Sequence, residues 1–185
     1  MSETGLQLAH IHEKLGAKIL QSLEAQGDAV VMLDRSGLRE SFRCLKDELN
    51  FDLLSDITAV DYWQKKAPRF EVVYQIVSLT GRQRLRLRVA VPENDATVDS
   101  LTPLWRGANF LEREVWDLYG IRFTDHPDLR RILLYDEFQG HPLRKDYPVN
   151  LCQPRVAERQ VDGTFVDERS RNKLLRLQKT LSRKS

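Results

Sequence analysis

Residues 70–91 constrain the fold more than any other stretch of the chain. Phe70, Val72, Tyr74 and Ile76 alternate with Glu71, Val73, Gln75 and Val77. After a turn at Thr80-Gly81, Leu85, Leu87, Val89 and Val91 alternate with Arg84, Arg86 and Arg88. Successive side chains on a strand point to opposite faces, so each run buries one face and turns the other outward. Two such runs joined by a short glycine-containing turn predict an antiparallel hairpin over residues 70–91. Pro92, which cannot donate to a ladder, ends it.

The remaining elements follow from periodicity. Leu8, Ile11, Leu15, Ile19 and Leu23 recur at helical spacing and Gly27 follows as a stop, which predicts an amphipathic helix over residues 4–25. Residues 29–33 read as a short strand between Asp28 and Asp34. Leu38, Phe42, Leu45 and Leu49 mark a second helix, and residues 54–62 a strand with Ile57 and Ala59 on one face. Residues 99–105 are expected as a short helix. Asn109 followed by Glu112 has the form of a capping box, and Leu111, Val115, Leu118 and Tyr119 give the stripe of the next helix. Gly120 sits where a left-handed terminal residue is favoured.

Past residue 122 the periodicity fades and Pro127, Pro142, Pro148 and Pro154 punctuate the chain. Such a stretch buries little by itself and reads as an arm that needs a surface to lie on. Residues 167–185 turn basic around Leu174, Leu177 and Leu181, which predicts a terminal helix. The fold class is therefore α+β: a mostly antiparallel sheet with helices packed on one face, forming a globular domain over residues 1–122, followed by an extended C-terminal arm over 123–185.

Composition narrows the function. The net charge of +2 points to no nucleic acid by itself. No apolar run is long enough to span a bilayer, and residues 1–10 do not have the form of a secretory signal. Cys44 and Cys152 stand apart, so the chain cannot supply the four thiolates of an iron–sulfur cluster or a cysteine-based structural zinc site; both thiols are expected free. His10, His12, His126 and His141 do not form a metal-binding arrangement. Neither a GxGxxG nor a GxxxxGK[ST] phosphate cradle occurs, and no GxSxG elbow accompanies Asp125-His126. The expectation is a chain with no catalytic residue, no cofactor site and no metal site. Arg82, Arg84, Arg86 and Arg88 line one strand face, which reads as solvated, partner-docking or RNA-contacting; it lacks the aromatic residues on which RNA bases stack.

Residues 112–148 carry the densest set of ionic groups. Glu112, Arg113, Glu114 and Asp117 lie on the predicted helix, with Arg113 and Asp117 four apart and able to pair. Asp125, His126, Arg130 and Arg131 follow, then His141, Arg144 and Lys145. Arginines beside carboxylates suit a specific polar interface. Acids in a first helical turn and a spaced ion pair equally suit the helix alone.

Taken together, Glu112-Arg-Glu, Asp117-Leu-Tyr, His126, Arg130, Ile132-Leu133 and Gly140-His-Pro-Leu-Arg-Lys-Asp-Tyr-Pro148 resemble the signature of the 30 kDa subunit family of respiratory complex I, the C-type subunits of NADH:quinone oxidoreductase. Asp56-Ile-Thr-Ala-Val-Asp-Tyr62 and the hairpin extend the resemblance over roughly residues 30–150. It implies a non-catalytic subunit of the peripheral arm, held on the cytoplasmic side of a bacterial inner membrane only through the complex. It implies that FMN and iron–sulfur clusters reside in partner subunits, which pass electrons from NADH to quinone with proton pumping. It further implies that Glu112, Arg113, Glu114, Asp117, Asp125, His126, Arg130, Arg131, His141, Arg144 and Lys145 form the contact with the D-type, or 49 kDa, subunit, which the arm wraps. The equivalent subunit of a plastoquinone, F420H2 or membrane-hydrogenase complex is the nearest alternative, and a stand-alone RNA- or protein-binding module the more distant one.

Overall fold

The computed structural model describes residues 3–154. Helix α1 (Glu3–Leu15) leads through a 3-10 turn into β1 (Ile19–Ala25) and β2 (Asp28–Leu33). Helix α2 (Leu38–Asp47) precedes β3 (Leu53–Asp61), β4 (Phe70–Ser78) and β5 (Gln83–Val91). A short β6 (Thr97–Asp99), helix α3 (Ala108–Tyr119) and β7 (Arg122–Thr124) complete the regular elements. The main sheet has the order β1-β2-β5-β4-β3, and β6 pairs with β7 in a separate two-stranded ribbon. Within the main sheet only β2 and β5 run parallel. The fold is α+β, as the alternation and helical stripes predict.

The hairpin is β4 and β5, paired from Phe70↔Val91 to Ser78↔Gln83. Its inward residues Val72, Tyr74, Ile76, Leu85, Leu87 and Val89 are fully buried. Against them pack Ile11 and Leu15 of α1, Leu38, Phe42 and Leu45 of α2, and Ala108 and Val115 of α3, in one continuous core. All three helices therefore cover the same side of the sheet. Phe42 sits at its centre, its ring 4.8 Å from that of Tyr74 and 6.0 Å from that of Trp105.

Three local expectations are corrected. The helix over residues 4–25 ends at Leu15, and residues 19–25 form strand β1. Gly16 takes φ +45, which breaks the helix, and Gln26 and Gly27 both take positive φ, as a two-residue type I′ hairpin turn requires. Gly27 is thus a hairpin turn and not a helix stop. Ile19 and Leu23 fit a helical period, but the backbone ladder to β2 decides the segment. The short helix over residues 99–105 is instead the end of β6 and a single turn, in which Leu101 O accepts from the amides of Leu104 and Trp105. Finally, the cap residue of α3 is Gly107, with no side-chain cap bond; Asn109 and Glu112 form no capping box, because Glu112 bonds elsewhere. The boundary expected at residue 122 also moves. The first compact unit runs from Met1 to Gln153, so the described part of the arm lies on the domain. The basic terminal helix over 167–185 lies outside the described residues.

Replacing Phe42 with alanine removes an aromatic ring that two other rings contact. Phe42→Ala is expected to cost about 3–5 kcal/mol, read as a shift in the midpoint of a urea titration followed by circular dichroism.

Candidate functional site

The ionic residues of 112–148 converge on the C-terminal half of α3, and most of them face inward. Asp117, in the last turn of the helix, is fully buried. Its Oδ2 accepts the amides of Ile132 (3.1 Å), Leu133 (2.9 Å) and Leu134 (2.9 Å), and its Oδ1 accepts Arg131 Nη1 at 2.6 Å. Burial alone would raise this carboxyl; the three amides and the guanidinium outweigh it and hold the group below the usual carboxylate range. Arg131 then spreads its second Nη to the carbonyls of Phe138 (2.8 Å) and Gly140 (3.2 Å), and lies 5.8 Å from both the Trp116 and Phe138 rings. Arg113 donates to the carbonyls of Arg130 (3.1 Å) and Arg131 (3.0 Å). The spacing-based pair Arg113–Asp117 does not form, because both side chains reach the following segment instead.

That segment in turn completes the helix. The last carbonyls of a helix have no partner within it. Here His141 Nδ1 donates to Asp117 O (2.9 Å), the Leu143 amide to Leu118 O (3.1 Å) and Arg144 Nε to Tyr119 O (2.5 Å). Gly120 permits this. Its φ is +74, and a Cβ there would lie 2.5 Å from the His141 ring and 2.6 Å from Arg144. Burial and the charges of Arg144 and Arg131 lower the His141 pKa, against the pull of the Asp117 carbonyl.

A second buried carboxylate anchors the next stretch. Asp61 ends β3 and takes Arg69 on both oxygens, at 2.9 and 2.8 Å. It also accepts the amides of Trp63 (2.9 Å) and Lys145 (2.8 Å). Arg69 reaches Asp146 at 2.5 Å and Glu93 at 2.5 Å. Two acids in the interior, each meeting an arginine and backbone amides, thus clasp residues 130–146 to the helix and the sheet edge.

Glu112 behaves differently. It is fully buried and accepts from the Ser100 hydroxyl (2.7 Å) and the Leu101 amide (2.6 Å). Burial pushes its pKa up to about 7, with those bonds and the charge of Arg39 opposing. His126 Nε2 lies 4.0 Å from it. That imidazole donates through Nε2 to Asn109 O (3.2 Å) and accepts the Asp128 amide on Nδ1 (3.0 Å). Both nitrogens are thereby used by the neutral ring, and burial lowers its pKa. Tyr74 Oη, also buried, has no hydrogen-bond partner among the described residues.

The remaining predicted residues stand at the surface. Glu114 is exposed on α3. Asp125 pairs with Arg39 at 3.1 Å and Arg130 with Asp128 at 3.0 Å. The Lys145 side chain points outward while its amide serves Asp61. Sequence reading missed Asp61, Arg69, Asp146, Ser100 and Tyr74. A signal existed for Asp61: Ile57, Ala59 and Asp61 alternate onto one buried face, which places a carboxylate at a core position. Among the described residues no group of three or more His, Cys, Asp or Glu is arranged to hold a metal ion, and no helix is long and apolar enough to cross a membrane.

The family model described as the 30 Kd subunit of respiratory-chain NADH dehydrogenase matches residues 31–152. The C subunit of the NADH-quinone oxidoreductase of Geobacter sulfurreducens is 46% identical over 149 residues, covering 80% of this chain and 92% of that protein. The corresponding C subunit of a Roseiflexus species is 45% identical over 144 residues, covering 77% and 82%. Among solved structures, a trypsin-resistant fragment of Nqo5 is similar at 39% identity and a TM-score of 0.60, covering 66% of this chain and 99% of the fragment. A chain of an archaeal membrane-bound sulfane sulfur reductase shares the fold at a TM-score of 0.71, with 21% identity, covering 80% of this chain and 88% of that one.

Two outcomes follow from the geometry. Asp117→Ala leaves three amides and Arg131 unmatched, and is expected to cost about 3–5 kcal/mol and to open residues 130–146 to trypsin. In the wild type, the depressed Asp117 pKa gives stability that is present above the ordinary carboxyl value and is lost as pH falls through the folded value. Glu112 has the opposite sign. Its folded pKa of about 7 lies above the ordinary 4.5, so stability declines as pH rises across that window. Glu112→Gln is expected to flatten that decline in thermal melts taken from pH 4.5 to 8; an unchanged slope would refute the assignment.

Proposed function

From the premise that this chain belongs to the 30 Kd subunit family of respiratory-chain NADH dehydrogenase, we propose that it is the structural C subunit of the peripheral arm of an NADH:quinone oxidoreductase. In this reading it carries no catalytic group of its own. Electrons pass from NADH through FMN and iron–sulfur clusters of partner subunits to quinone, and the chain is held at the cytoplasmic side of the inner membrane through the assembly. Its work is to present residues 130–151 as a rigid docking element to the D-type subunit.

One observation carries this reading. The clasped segment is anchored chiefly through polar groups; Ile132, Leu134 and Phe138 are half-buried, and five other large apolar side chains are left outward. Leu133, Tyr135, Leu143 and Leu151 are exposed by 39–60%, and Val149 fully. Isolated exposed apolar residues are ordinary, but several on one ordered segment mark an interaction surface. Glu114, Arg130 and Lys145 supply exposed charge beside them, in keeping with an apolar interface ringed by polar groups. The buried members of the predicted set, Glu112, Arg113, Asp117 and Arg131, support the interface from behind by setting the shape of the segment. The same fold in the archaeal reductase keeps a related membrane complex as the second reading. Mass spectrometry of co-purifying chains separates the two, since flavin-bearing NADH-oxidising subunits accompany only the first.

Leu133→Asp with Leu143→Asp alters the surface without touching the carboxylate anchors. The variant is expected to melt within about 2 °C of the wild type, as surface changes usually do, yet to lower NADH:quinone reductase activity of membranes at least about 10-fold, the loss that about 1.4 kcal/mol of binding represents. Normal activity and a normally sized complex on native gels would sink the proposal.

A further inference from the structure

The side of the main sheet opposite the three helices is open among the described residues. The strand registers lay it out. Arg86 of β5 stands between Val30 of β2 and Gln75 of β4, Arg88 between Met32 and Val73, and Arg84 opposite Val77 with its head on Asp28. A solvated sheet face is normally polar at its outward positions. This one places apolar side chains on both sides of a row of arginines: Val30 lies buried beneath them, and Met32, Val73 and Val77 are half-buried. Arginine stems cover apolar surface while their heads stay in water, and the Arg84 side chain is 70% exposed.

The row is also undercompensated. Arg84 and Arg86 share Asp28, at 3.1 and 3.9 Å. Arg88 and Lys66 share Glu71. Among the described residues these four cations thus pair with two carboxylates, and Asp56 of β3, beside Gln75, adds a third acid farther across the face.

We propose that this outer sheet face, along the arginine row of β5, seats an acidic amphipathic helix of a protein other than this chain. It is a docking surface separate from the clasped segment. Arginines two residues apart on a strand lie about 6.6–6.8 Å apart. Residues four apart on a helix advance about 6 Å. Carboxylates at that spacing meet successive guanidinium groups, and apolar residues flanking the acidic stripe rest on Val73 and Val77 to one side and on Val30 and Met32 to the other. Other occupants fit less well. A second copy placed face to face brings arginine against arginine. Positions 155–185 of this chain hold nine basic and four acidic residues, the wrong sign for this face. RNA would need open stacking aromatics among the basic groups; Tyr62, which reaches this row, has its ring under Lys66 and its hydroxyl on Arg88.

The test uses the full chain in its native assembly. Arg86→Lys introduces a primary amine at the centre of the row, and a carbodiimide condenses an amine with a carboxylate in ion-pair contact, forming an amide as the reagent becomes its urea. Peptide mapping is expected to place that amide on Asp or Glu of another protein, within a segment carrying acids four residues apart. Coupling only to Asp28, only to residues 155–185, to a second copy, or to no other chain overturns the proposal, as does an association that ribonuclease abolishes. Arg84→Glu with Arg86→Glu is expected to lower retention of the cross-linked protein at least 10-fold at an unchanged melting temperature, and equal retention overturns it. If the co-purifying assembly contains no NADH-oxidising subunit, the functional assignment fails while the amide still reports on this face.

Discussion

The structure turns on one buried negative charge. Taking a carboxylate out of water costs several kcal/mol unless it is paired and hydrogen-bonded. Asp117 meets both conditions by drawing in a segment that has no periodicity of its own: three consecutive amides at residues 132–134 converge on one oxygen and Arg131 on the other. The ordering then propagates. Arg131 fixes the carbonyls of Phe138 and Gly140, and His141, Leu143 and Arg144 satisfy the terminal carbonyls of α3. Asp61 and Arg69 take over at Lys145 and Asp146. A stretch with no periodicity of its own is thus held in a single shape, with Leu133, Leu143 and Val149 among its exposed side chains.

Asp117 and Glu112 show how a shared burial yields opposite electrostatics. They lie five residues apart on the same helix and both are fully buried. Asp117 has three amides and a guanidinium, and its pKa falls. Glu112 has one amide and one hydroxyl, with the nearest imidazole held neutral by its own hydrogen bonds, and its pKa rises to about 7. The number and charge of the donors decide the sign, because desolvation opposes ionisation in both. Two of the signature acids, Glu112 and Asp117, are therefore interior supports, and Asp117 sets the shape of the segment that follows α3.

Much of the fold was legible in the sequence. Alternation in residues 70–91 determined the hairpin and which of its residues face the core, and the stripes at Leu38–Leu45 and Leu111–Tyr119 marked two helices. Residues 19–25 were not legible, since Ile19 and Leu23 satisfy a helical period and a strand equally; only the ladder to β2 distinguishes them. Membership of the family was carried by residue identities at fixed spacing. What those residues do was not, because spacing on α3 suggested that Arg113 pairs with Asp117, and in three dimensions both reach residues 130–134.

The sequence by itself determined the α+β class, the hairpin with its buried face, and a proline-punctuated stretch after α3 rich in charge. Local periodicity is enough for these, since each depends on side-chain direction along one element. Only the tertiary structure decided that Asp61 and Asp117 are the anchors of that stretch, and that the compact unit extends to Gln153. The reason is that a buried carboxylate must be satisfied wherever donors can be found, and here they come from amides and arginines as many as 84 residues away, which no pattern along the chain encodes.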